Sequence, residues 1–321
     1  MNENAAYIHE KIMAAGTIGL IGHVRPDGDA VGSCLGLKGY INTINPAAKV
    51  TVFLGEFSKD FDFLEGADEV CSDFSQEMEL DLCFMLDCSD IKRMGDAAKY
   101  FLGAKEQICL DHHATGDDSY HGFIVKQADI SSTSELVCTL IDMDKLSQGA
   151  AEALYLGIVH DTGVFKYDCT KRQTMEIAGK LLELGARSAY VIDETFYKKG
   201  FNQNRALGQV LLDAKLELGG RFIWSRFSCE QMKQFGISSL ELDGFVNQLL
   251  LTEGAEIAAF MYELSEGSYK VSLRAKNFAD VSVIAAKLGG GGHVKAAAFE
   301  MKEDGQKIIE LIMDEAAKQL H

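Results

Sequence analysis

Proline is scarce in this sequence, and long apolar runs are missing. Only two prolines occur among 321 residues, Pro26 and Pro46, and both fall in connections between predicted elements. No run of eighteen apolar residues is present, which excludes a membrane-spanning helix and a membrane as a partner. The N-terminal segment lacks a basic stretch followed by an apolar one, so a secretory signal is not expected. These absences predict a cytoplasmic protein.

Closely spaced cysteines are also missing. The eight cysteines are scattered, only Cys83 and Cys88 lie near each other, and no C-x-x-C spacing occurs. This pattern excludes a disulfide framework and a thiolate zinc site of the common kind. It predicts buried free thiols in a reducing cytoplasm.

Positive charge is the minority: 31 lysines and arginines oppose 48 aspartates and glutamates, for a formal net charge of −17. Long nucleic acids are held mainly by basic side chains that neutralise phosphates, so a surface that tracks long RNA or DNA is not expected. Small anionic substrates remain compatible with this charge. Aspartates that hold divalent cations would account for part of the acidity.

What the sequence does contain is an alternation of apolar strands and helical stretches. Strands are predicted at 18–24 and 49–56, over about six residues that end on Asp87, and over about four residues that lead to Asp111. Helices are predicted at 91–102 and 239–251, and another begins near Ser131, where hydroxyl residues and Glu135 form a cap. Such alternation favours a doubly wound, mostly parallel sheet. After a helical, polar stretch the pattern changes to strands at 221–228, 255–264 and 268–276. We therefore predict an α/β protein with a catalytic domain at 1–189, a linker at 190–215 and a smaller α/β domain at 216–321.

Carboxylates and imidazoles recur where the predicted strands and one helix end. In open α/β sheets, ligands bind at the carboxyl ends of the strands, so these side chains are expected to share one crevice. Gly28 would let two aspartates of one turn face the same space. Taken alone, Asp27 and Asp29 fit a helix cap equally well. The residues in question are His23, Asp27, Asp29, Asp87, Asp111, His112, His113 and Asp161.

Four or more carboxylates buried together would be costly without cations, so they either occupy dispersed, solvated positions or hold metal ions, and two divalent ions would compensate their charge. Oxygen and nitrogen donors without thiolate favour manganese or magnesium over zinc or iron. A pair of ions can activate water and neutralise an in-line displacement at phosphorus, which indicates phosphoester hydrolysis. Asp87 is the predicted bridge, because it stands alone at the end of an interior strand.

Four motifs occur in order: H-x-x-P-D-G-D-A-x-G-S from His23, D-H-H from Asp111, D-T-G from Asp161, and G-G-G-H ending at His293. Together with the aspartate at position 87 they resemble the DHH phosphoesterase superfamily with its C-terminal DHHA1 domain. The match extends over nearly the whole chain. Its two-domain layout is most similar to the NrnA-like branch of oligoribonucleases and adenosine bisphosphate phosphatases.

The resemblance implies a role for each motif residue. One Mn²⁺ would be held by His23, Asp27 and Asp87. The second Mn²⁺ would be held by Asp29, Asp87, His112 and Asp161, and Mg²⁺ is the alternative ion for both sites. His113 would face the scissile phosphate or its leaving oxygen, and Asp111 would orient the histidines. Substrate would be bound in the second domain by Arg274, Gly290, Gly291, Gly292 and His293.

The same resemblance implies a two-metal exoribonuclease that hydrolyses short RNA oligonucleotides to mononucleotides and removes the 3′-phosphate of adenosine 3′,5′-bisphosphate. Two alternatives stay open: a phosphodiesterase of linear or cyclic dinucleotides, and an inactive nucleotide-binding module. The roles of Arg93 and His160 and the formation of a homodimer stay open as well. Two positions depart from the family pattern, Val164 and Ala298, where glycine is frequent.

Overall fold

The structure is a computed structural model that describes residues 2–113 and 122–320. Its short apolar strands and intervening helices form two units. The first unit ends at Lys198 and the second begins at Lys199. The α/β fold class predicted from the sequence is confirmed, with a parallel sheet in the first unit and a mixed sheet in the second. The domain boundaries at 1–189, 190–215 and 216–321 stay a prediction.

The described part of the first unit contains a five-stranded sheet whose neighbouring strands all run parallel. Its strands are β1 (Thr17–Ile21), β2 (Lys49–Phe53), β3 (Leu82–Leu86), β4 (Glu106–Asp111) and β5 (Phe123–Lys126). The spatial order is β2-β1-β3-β4-β5, so β3 lies in the middle. The ends of β1, β3 and β4 therefore meet at one edge of the sheet.

Strand β3 shows why this sheet is buried on both faces. All five of its residues are buried and apolar, as expected for a parallel strand covered by helices on each side. Leu82, Phe84 and Leu86 pack into one core, and Cys83 and Met85 pack into the core on the opposite face. Alternation of side chains along the strand produces this division.

The helices of the first unit cover this sheet. They are α1 (Glu3–Ala14), α2 (Gly28–Ile44), α3 (Ala98–Gly103), α4 (Thr133–Leu140), α5 (Gln148–Asp161), α6 (Arg172–Glu183) and α7 (Ser188–Ile192). Helices α2 and α5 approach each other very closely. A Cβ atom added at Gly32 would lie 2.4 Å from the carbonyl oxygen of Ala153, and one added at Gly36 would lie 2.4 Å from Cγ of Leu154. Glycine is therefore required at this contact.

The second unit contains a six-stranded mixed sheet in the order β10-β11-β9-β8-β7-β6. Its strands are β6 (Lys215–Glu217), β7 (Phe222–Phe227), β8 (Ile257–Ser265), β9 (Ser268–Ala275), β10 (Gly291–His293) and β11 (Ala296–Lys302). Strands β7 and β8 pair in parallel, and the other neighbours pair antiparallel. Separate apolar cores lie on its two faces. Its helices are α8 (Phe201–Leu212), α9 (Cys229–Phe235), α10 (Phe245–Leu250), α11 (Val281–Lys287) and α12 (Gly305–Ala317).

A buried carboxylate fixes the loop between β9 and α11. Glu256 is 4% exposed and accepts hydrogen bonds from the backbone N–H groups of Asn277, Phe278 and Ala279 at 2.8, 2.7 and 3.0 Å, and from the Asn277 amide at 3.0 Å. Burial opposes ionisation, but these donors hold the pKa of Glu256 below its ordinary value. The charge stays buried because the loop surrounds it with donors.

The structure differs from the prediction in two helical stretches. The predicted helix over 91–102 is a 3₁₀ segment, Ile91–Ala97, followed by α3, because Gly95 takes a φ of +57° that an α-helix cannot accommodate. The predicted helix over 239–251 is likewise interrupted at Gly244, with a φ of +79°. Elements that were not predicted are α1, α11 and the short strands β5, β6 and β10.

The sequence predicts neither a membrane-spanning helix nor a disulfide framework. No helix in the described ranges is long and apolar enough to span a membrane. All eight cysteines are free, and five of them are buried: Cys34, Cys83, Cys88, Cys109 and Cys138. Burial raises the pKa of the Cys83 thiol, so this side chain stays protonated in the core.

Candidate metal centre

The site is built at the carboxyl edge of the parallel sheet. Strand β1 leads to His23, β3 leads to Asp87, and β4 ends at Asp111 before His112. Because β3 lies between β1 and β4, Asp87 lies between the other two groups; its backbone N–H donates to the carbonyl of Leu110 at 3.1 Å. The apolar strands place polar side chains where the sheet ends.

A first group of ligand types surrounds His23. The His23 Nε2 atom lies 3.6 Å from Asp27 Oδ1 and 3.5 Å from Asp87 Oδ2, while Nδ1 is hydrogen-bonded to the carbonyl of Val24 at 2.9 Å. One ligand atom from each of His23, Asp27 and Asp87 falls within 4.8 Å of the others. Burial alone would lower the pKa of His23, but the carboxylates of Asp27 and Asp87 raise it to about 10. This group could hold a divalent cation.

A second group surrounds His112. Its Nε2 atom lies 3.4 Å from Asp87 Oδ1 and 3.2 Å from Asp161 Oδ2, where α5 ends. Asp29, His112 and Asp161 also place ligand atoms within 4.8 Å of one another. Burial, and then the neighbouring charges of Asp161 and Asp87, raise the pKa of Asp29, which is fully buried. A cation here would offset the repulsion among these carboxylates.

Asp87 lies next to both His23 and His112. Its two oxygens face His23 and His112, the side chain is 3% exposed, and the residue has a φ of +55°. A positive φ is uncommon outside glycine, although aspartate and asparagine adopt it more readily than other residues. Such strain is found where the surrounding structure fixes a functional conformation. The bridging role of Asp87 stays a prediction, and its position between His23 and His112 is compatible with it.

Asp111 lies behind the histidines. Its Oδ1 is 2.7 Å from His113 Nδ1, a hydrogen bond that directs the other ring nitrogen of His113 away from Asp111. Asp111 is 1% exposed, and among the described residues its Oδ2 has no hydrogen-bond partner; Lys126 Nζ lies 3.7 Å away as an ion pair. The arrangement suits a carboxylate that orients an imidazole.

His160, whose role the sequence left open, also reaches this site. Its ring lies 6.0 Å from the ring of Phe61 and 5.9 Å from that of Phe196, and Nδ1 is 3.8 Å from Asp161 Oδ1. His160, Asp27 and Asp161 offer ligand atoms within 4.8 Å of one another. Its place directly before Asp161 was the only signal in the sequence. Arg93, by contrast, is exposed, and its carbonyl accepts from the Val24 N–H at 2.6 Å.

In the second unit, Arg274 lies on β9 and His293 on β10, the two strands that flank β11. Ala296 of β11 pairs with Arg274 of β9 on one side and with His293 of β10 on the other. Directly opposed residues of antiparallel strands point to the same face, so Arg274 and His293 share one face of this sheet. Arg274 Nη1 also donates to the carbonyl of Leu273 at 3.0 Å, and His293 is exposed.

The glycine run is part of the sheet rather than a loose turn. Gly291 pairs with Ala298 and Gly292 with Ala297. At Gly290 an added Cβ would lie 2.2 Å from the carbonyl oxygen of Ala298, and Gly292 has a φ of +147°. Glycine is required here so that β10 can approach β11 closely.

Comparisons with known proteins agree with both units. The sequence model of the DHH family, N-terminal domain, matches residues 17–158, and that of the DHHA1 domain matches residues 219–320. A probable bifunctional oligoribonuclease and PAP phosphatase NrnA from Streptococcus mutans is 31% identical over 89% of this chain and 90% of its own length. The chain belongs to the DHH family.

Other DHH-related proteins extend this similarity. The bifunctional oligoribonuclease and PAP phosphatase NrnA of Thermus thermophilus is 27% identical over 94% of this chain and 91% of its own length. A crystal structure of an exopolyphosphatase-related protein from Bacteroides fragilis superposes with a TM-score of 0.87 at 25% identity, covering 99% of this chain and 96% of that one. The similarity therefore spans both the DHH and the DHHA1 portions.

One departure from the DHH family pattern has a structural consequence. After Asp161, three successive residues, Gly163, Val164 and Phe165, have φ values of +55°, +59° and +60° and form a left-handed turn. A β-branched residue is poorly suited to this conformation. The Val164 N–H donates to the Val159 carbonyl at 2.8 Å, which helps to hold the turn. Glycine at position 164 would remove this strain.

Sequence reasoning missed the contribution of α4 to the DHH site. The sequence indicated only that a helix begins near Ser131, with hydroxyl residues and Glu135 as its cap. In the structure, the backbone of Thr133 and Ser134 and the hydroxyl of Thr133 contact Asp29 and Asp87. Backbone N–H groups leave no signature in a sequence, so this contact could not have been found from side-chain motifs.

Proposed function

We propose that this protein is a metal-dependent phosphoesterase that hydrolyses short RNA oligonucleotides to mononucleotides and removes the 3′-phosphate of adenosine 3′,5′-bisphosphate. The observation that carries the proposal is the convergence of His23, Asp27, Asp29, His112 and Asp161 around the buried Asp87. The activities named for the Thermus thermophilus and Streptococcus mutans relatives supply the substrate classes.

The donor set fits two divalent cations with oxygen and nitrogen preference, and Mn²⁺ is proposed for both, with Mg²⁺ as the alternative. His23, Asp27 and Asp87 would hold one ion. Asp29, Asp87, His112 and Asp161 would hold the other. Bound together, such ions lower the pKa of a water molecule towards about 7 and neutralise charge on a phosphate. No thiolate competes for the ions, since the nearby Cys34 and Cys88 are buried and burial raises their pKa values.

His113 is proposed to contact the substrate. Its Nδ1 is hydrogen-bonded to Asp111, which orients the ring, and the side chain is 36% exposed. A protonated imidazole can donate to a phosphate oxygen and give a proton to the departing ribose oxygen. Asp111 would then act by holding the ring and by stabilising its charge.

The second unit is proposed to bind the nucleotide. Arg274 and His293 share a face of the sheet, and small residues lie between and beside them: Ala296, Ala298 and Gly291. A guanidinium and an imidazole separated by small side chains leave room for a phosphate and a flat base. In this assignment, His293 binds the nucleotide and is not a ligand of the metal ions.

One assay with five substrates tests the proposal. Purified protein with Mn²⁺ should cleave a trinucleotide and dephosphorylate adenosine 3′,5′-bisphosphate, and a chelator should abolish both activities. RNA longer than a few nucleotides should be a poorer substrate, with a shallow salt dependence of binding, because a chain of net charge −17 engages few phosphates. A cyclic dinucleotide and pyrophosphate complete the set.

The outcomes separate the alternatives. Preference for the cyclic dinucleotide, or for its linear product, would replace the proposed substrate with the dinucleotide class. Tight nucleotide binding without turnover of any substrate would indicate an inactive nucleotide-binding module. Equal or better cleavage of a 20-mer, with a steep loss of affinity in salt, would indicate an exonuclease that tracks long RNA. A cytoplasmic location and a homodimer are further parts of the proposal that fractionation and light scattering would test.

A further inference from the structure

The first turn of α4 holds a buried carboxylate of the site through its backbone. The Thr133 N–H donates to Asp29 Oδ2 at 2.6 Å, and the Ser134 N–H donates to Asp29 Oδ1 at 2.9 Å. The first N–H groups of a helix have no acceptor within the helix and lie at the positive end of its dipole. Both oxygens of the fully buried Asp29 therefore accept from the first turn of α4, which fixes the orientation of this carboxylate.

The side chain of Thr133 makes a second contact. Its hydroxyl donates to Asp87 Oδ1 at 3.2 Å, and both residues are buried, with exposures of 0% and 2%. Thr133 is thus bonded to Asp29 by its backbone and to Asp87 by its side chain. Asp29 lies in the first turn of α2 and Asp87 directly follows β3, so Thr133 connects carboxylates from two different elements.

Contacts on the other side of α4 hold this turn in place. The Ser132 Oγ atom accepts from the Glu135 N–H at 3.0 Å, which caps the helix. The buried Glu135 carboxylate in turn accepts from the Ser131 hydroxyl and from Thr174 Oγ1, the latter at 2.9 Å. This network stays separate from Asp29 and Asp87, so a change in it should affect folding without removing a contact to the carboxylates.

We propose that Thr133 is a positioning residue that sets the orientation of Asp87 and the spacing between Asp87 and Asp29 for metal binding. This inference rests on the proposed metal sites and adds a residue outside the four family motifs. Partners of ligand residues commonly contribute 10–100-fold to metal affinity, because they fix the orientation of the ligand before the ion arrives. Thr133 has the burial and the two contacts that such a role requires.

Replacing the hydroxyl alone tests this role. Thr133→Val keeps the branched shape and the backbone N–H to Asp29 but removes the hydroxyl that donates to Asp87 Oδ1. We expect the dissociation constant for Mn²⁺, measured by calorimetry and by the electron paramagnetic resonance signal of free Mn²⁺, to rise about 10–100-fold. Thr133→Ser, which restores the hydroxyl, should bind Mn²⁺ within about threefold of the wild type, by the same argument.

Ser132→Ala is the matched control, because it removes the adjacent hydroxyl of the same turn without touching a carboxylate of the site. It should lower the melting temperature and keep the Mn²⁺ affinity. If Thr133→Val does not fold, Thr133→Ala and Thr133→Ser make the same comparison, since both lack the methyl group and they differ in the hydroxyl.

Wild-type Mn²⁺ affinity in Thr133→Val, or an equal loss in Ser132→Ala, would overturn the inference. A loss in Thr133→Ser as large as in Thr133→Val would also overturn it, because the methyl group would then be responsible. The titration needs no substrate. A protein that binds Mn²⁺ but hydrolyses neither RNA nor the bisphosphate would therefore refute the proposed function and leave the assignment of Thr133 standing.

Discussion

Replacing Asp87 by asparagine should separate metal binding from folding. The φ of +55° at this position suits asparagine as well as aspartate, so the backbone can stay as it is. The substitution removes one negative charge from a side chain that lies 3.5 Å from His23 and 3.4 Å from His112. An amide is a much weaker ligand than a carboxylate, and both proposed ions would lose a shared oxygen donor.

The expected size of the effect follows from these contacts. Loss of a shared ligand should reduce kcat with Mn²⁺ by at least about 10³, which corresponds to roughly 4 kcal/mol of activation free energy. At an Mn²⁺ concentration of 100 times the dissociation constant, the wild type gains about 2.7 kcal/mol of stability from binding. If the affinity falls about 100-fold, the variant gains only about 0.4 kcal/mol at the same concentration.

Two measurements check the prediction: kcat on a trinucleotide, and the melting temperature with and without Mn²⁺. Asp68→Asn is the control, because it makes the same change in charge at an exposed position. It should keep both the activity and the stabilisation by Mn²⁺. If Asp87→Asn retained more than about a tenth of wild-type kcat, or the full rise in melting temperature with Mn²⁺, the bridging assignment would be wrong.

Three other substitutions test the second unit and the strained turn. Glu256→Gln should lower the free energy of unfolding at pH 7 by about 2 kcal/mol, since hydrogen bonds to a charged acceptor contribute about 1.5–3 kcal/mol. The pKa of Glu256 in the folded protein lies below the ordinary value of 4.5, so the extra stability of the wild type is complete above pH 4.5 and is lost as the pH falls through the folded-state pKa. Equal urea unfolding of the two proteins at pH 7 would refute this prediction. Val164→Gly should change the free energy of unfolding by less than about 1 kcal/mol, because relief of the left-handed conformation offsets the backbone entropy of glycine, and a loss above about 2 kcal/mol would show that the turn is not strained. His293→Ala should keep Mn²⁺ affinity but lose about 10² in kcat/KM on short RNA, and much less on a small phosphodiester without a nucleotide, whereas Val294→Ala should change neither. Loss of Mn²⁺ from His293→Ala would place this residue at the metal ions instead.

The sequence was most informative where polar residues interrupt apolar strands. The aspartates at positions 87 and 111 stand out because an apolar run directly precedes each of them, Leu82–Leu86 in β3 and residues 108–110 in β4. Parallel pairing then requires that these strand ends meet, so the composition of the site was predictable from local patterns and one rule of sheet topology. The alternative that Asp27 merely caps α2 proved to be compatible with the site, since its Oδ1 accepts from Asp29 N and Ala30 N while lying 3.6 Å from His23.

Other features depend on information that a linear pattern lacks. Strand β5 has four residues, too few for an alternation to be recognised. The shared face of Arg274 and His293 depends on the register of β9, β10 and β11, and a shift of one residue would place them on opposite faces. The kink at Gly95 depends on a backbone angle that glycine permits but does not require.

The close contact between α2 and α5 also determines how two ligands of the second proposed metal site are spaced. Asp29 lies in the first turn of α2, and Asp161 is the last residue of α5. Because the helices meet backbone to backbone at Gly32, opposite Ala153 and Gly157, the separation of these carboxylates is set there by main-chain atoms, whose dimensions do not vary with sequence. Core side chains elsewhere can change in size over evolution without altering this distance, whereas a single methyl group at Gly32 would push the two ligands apart.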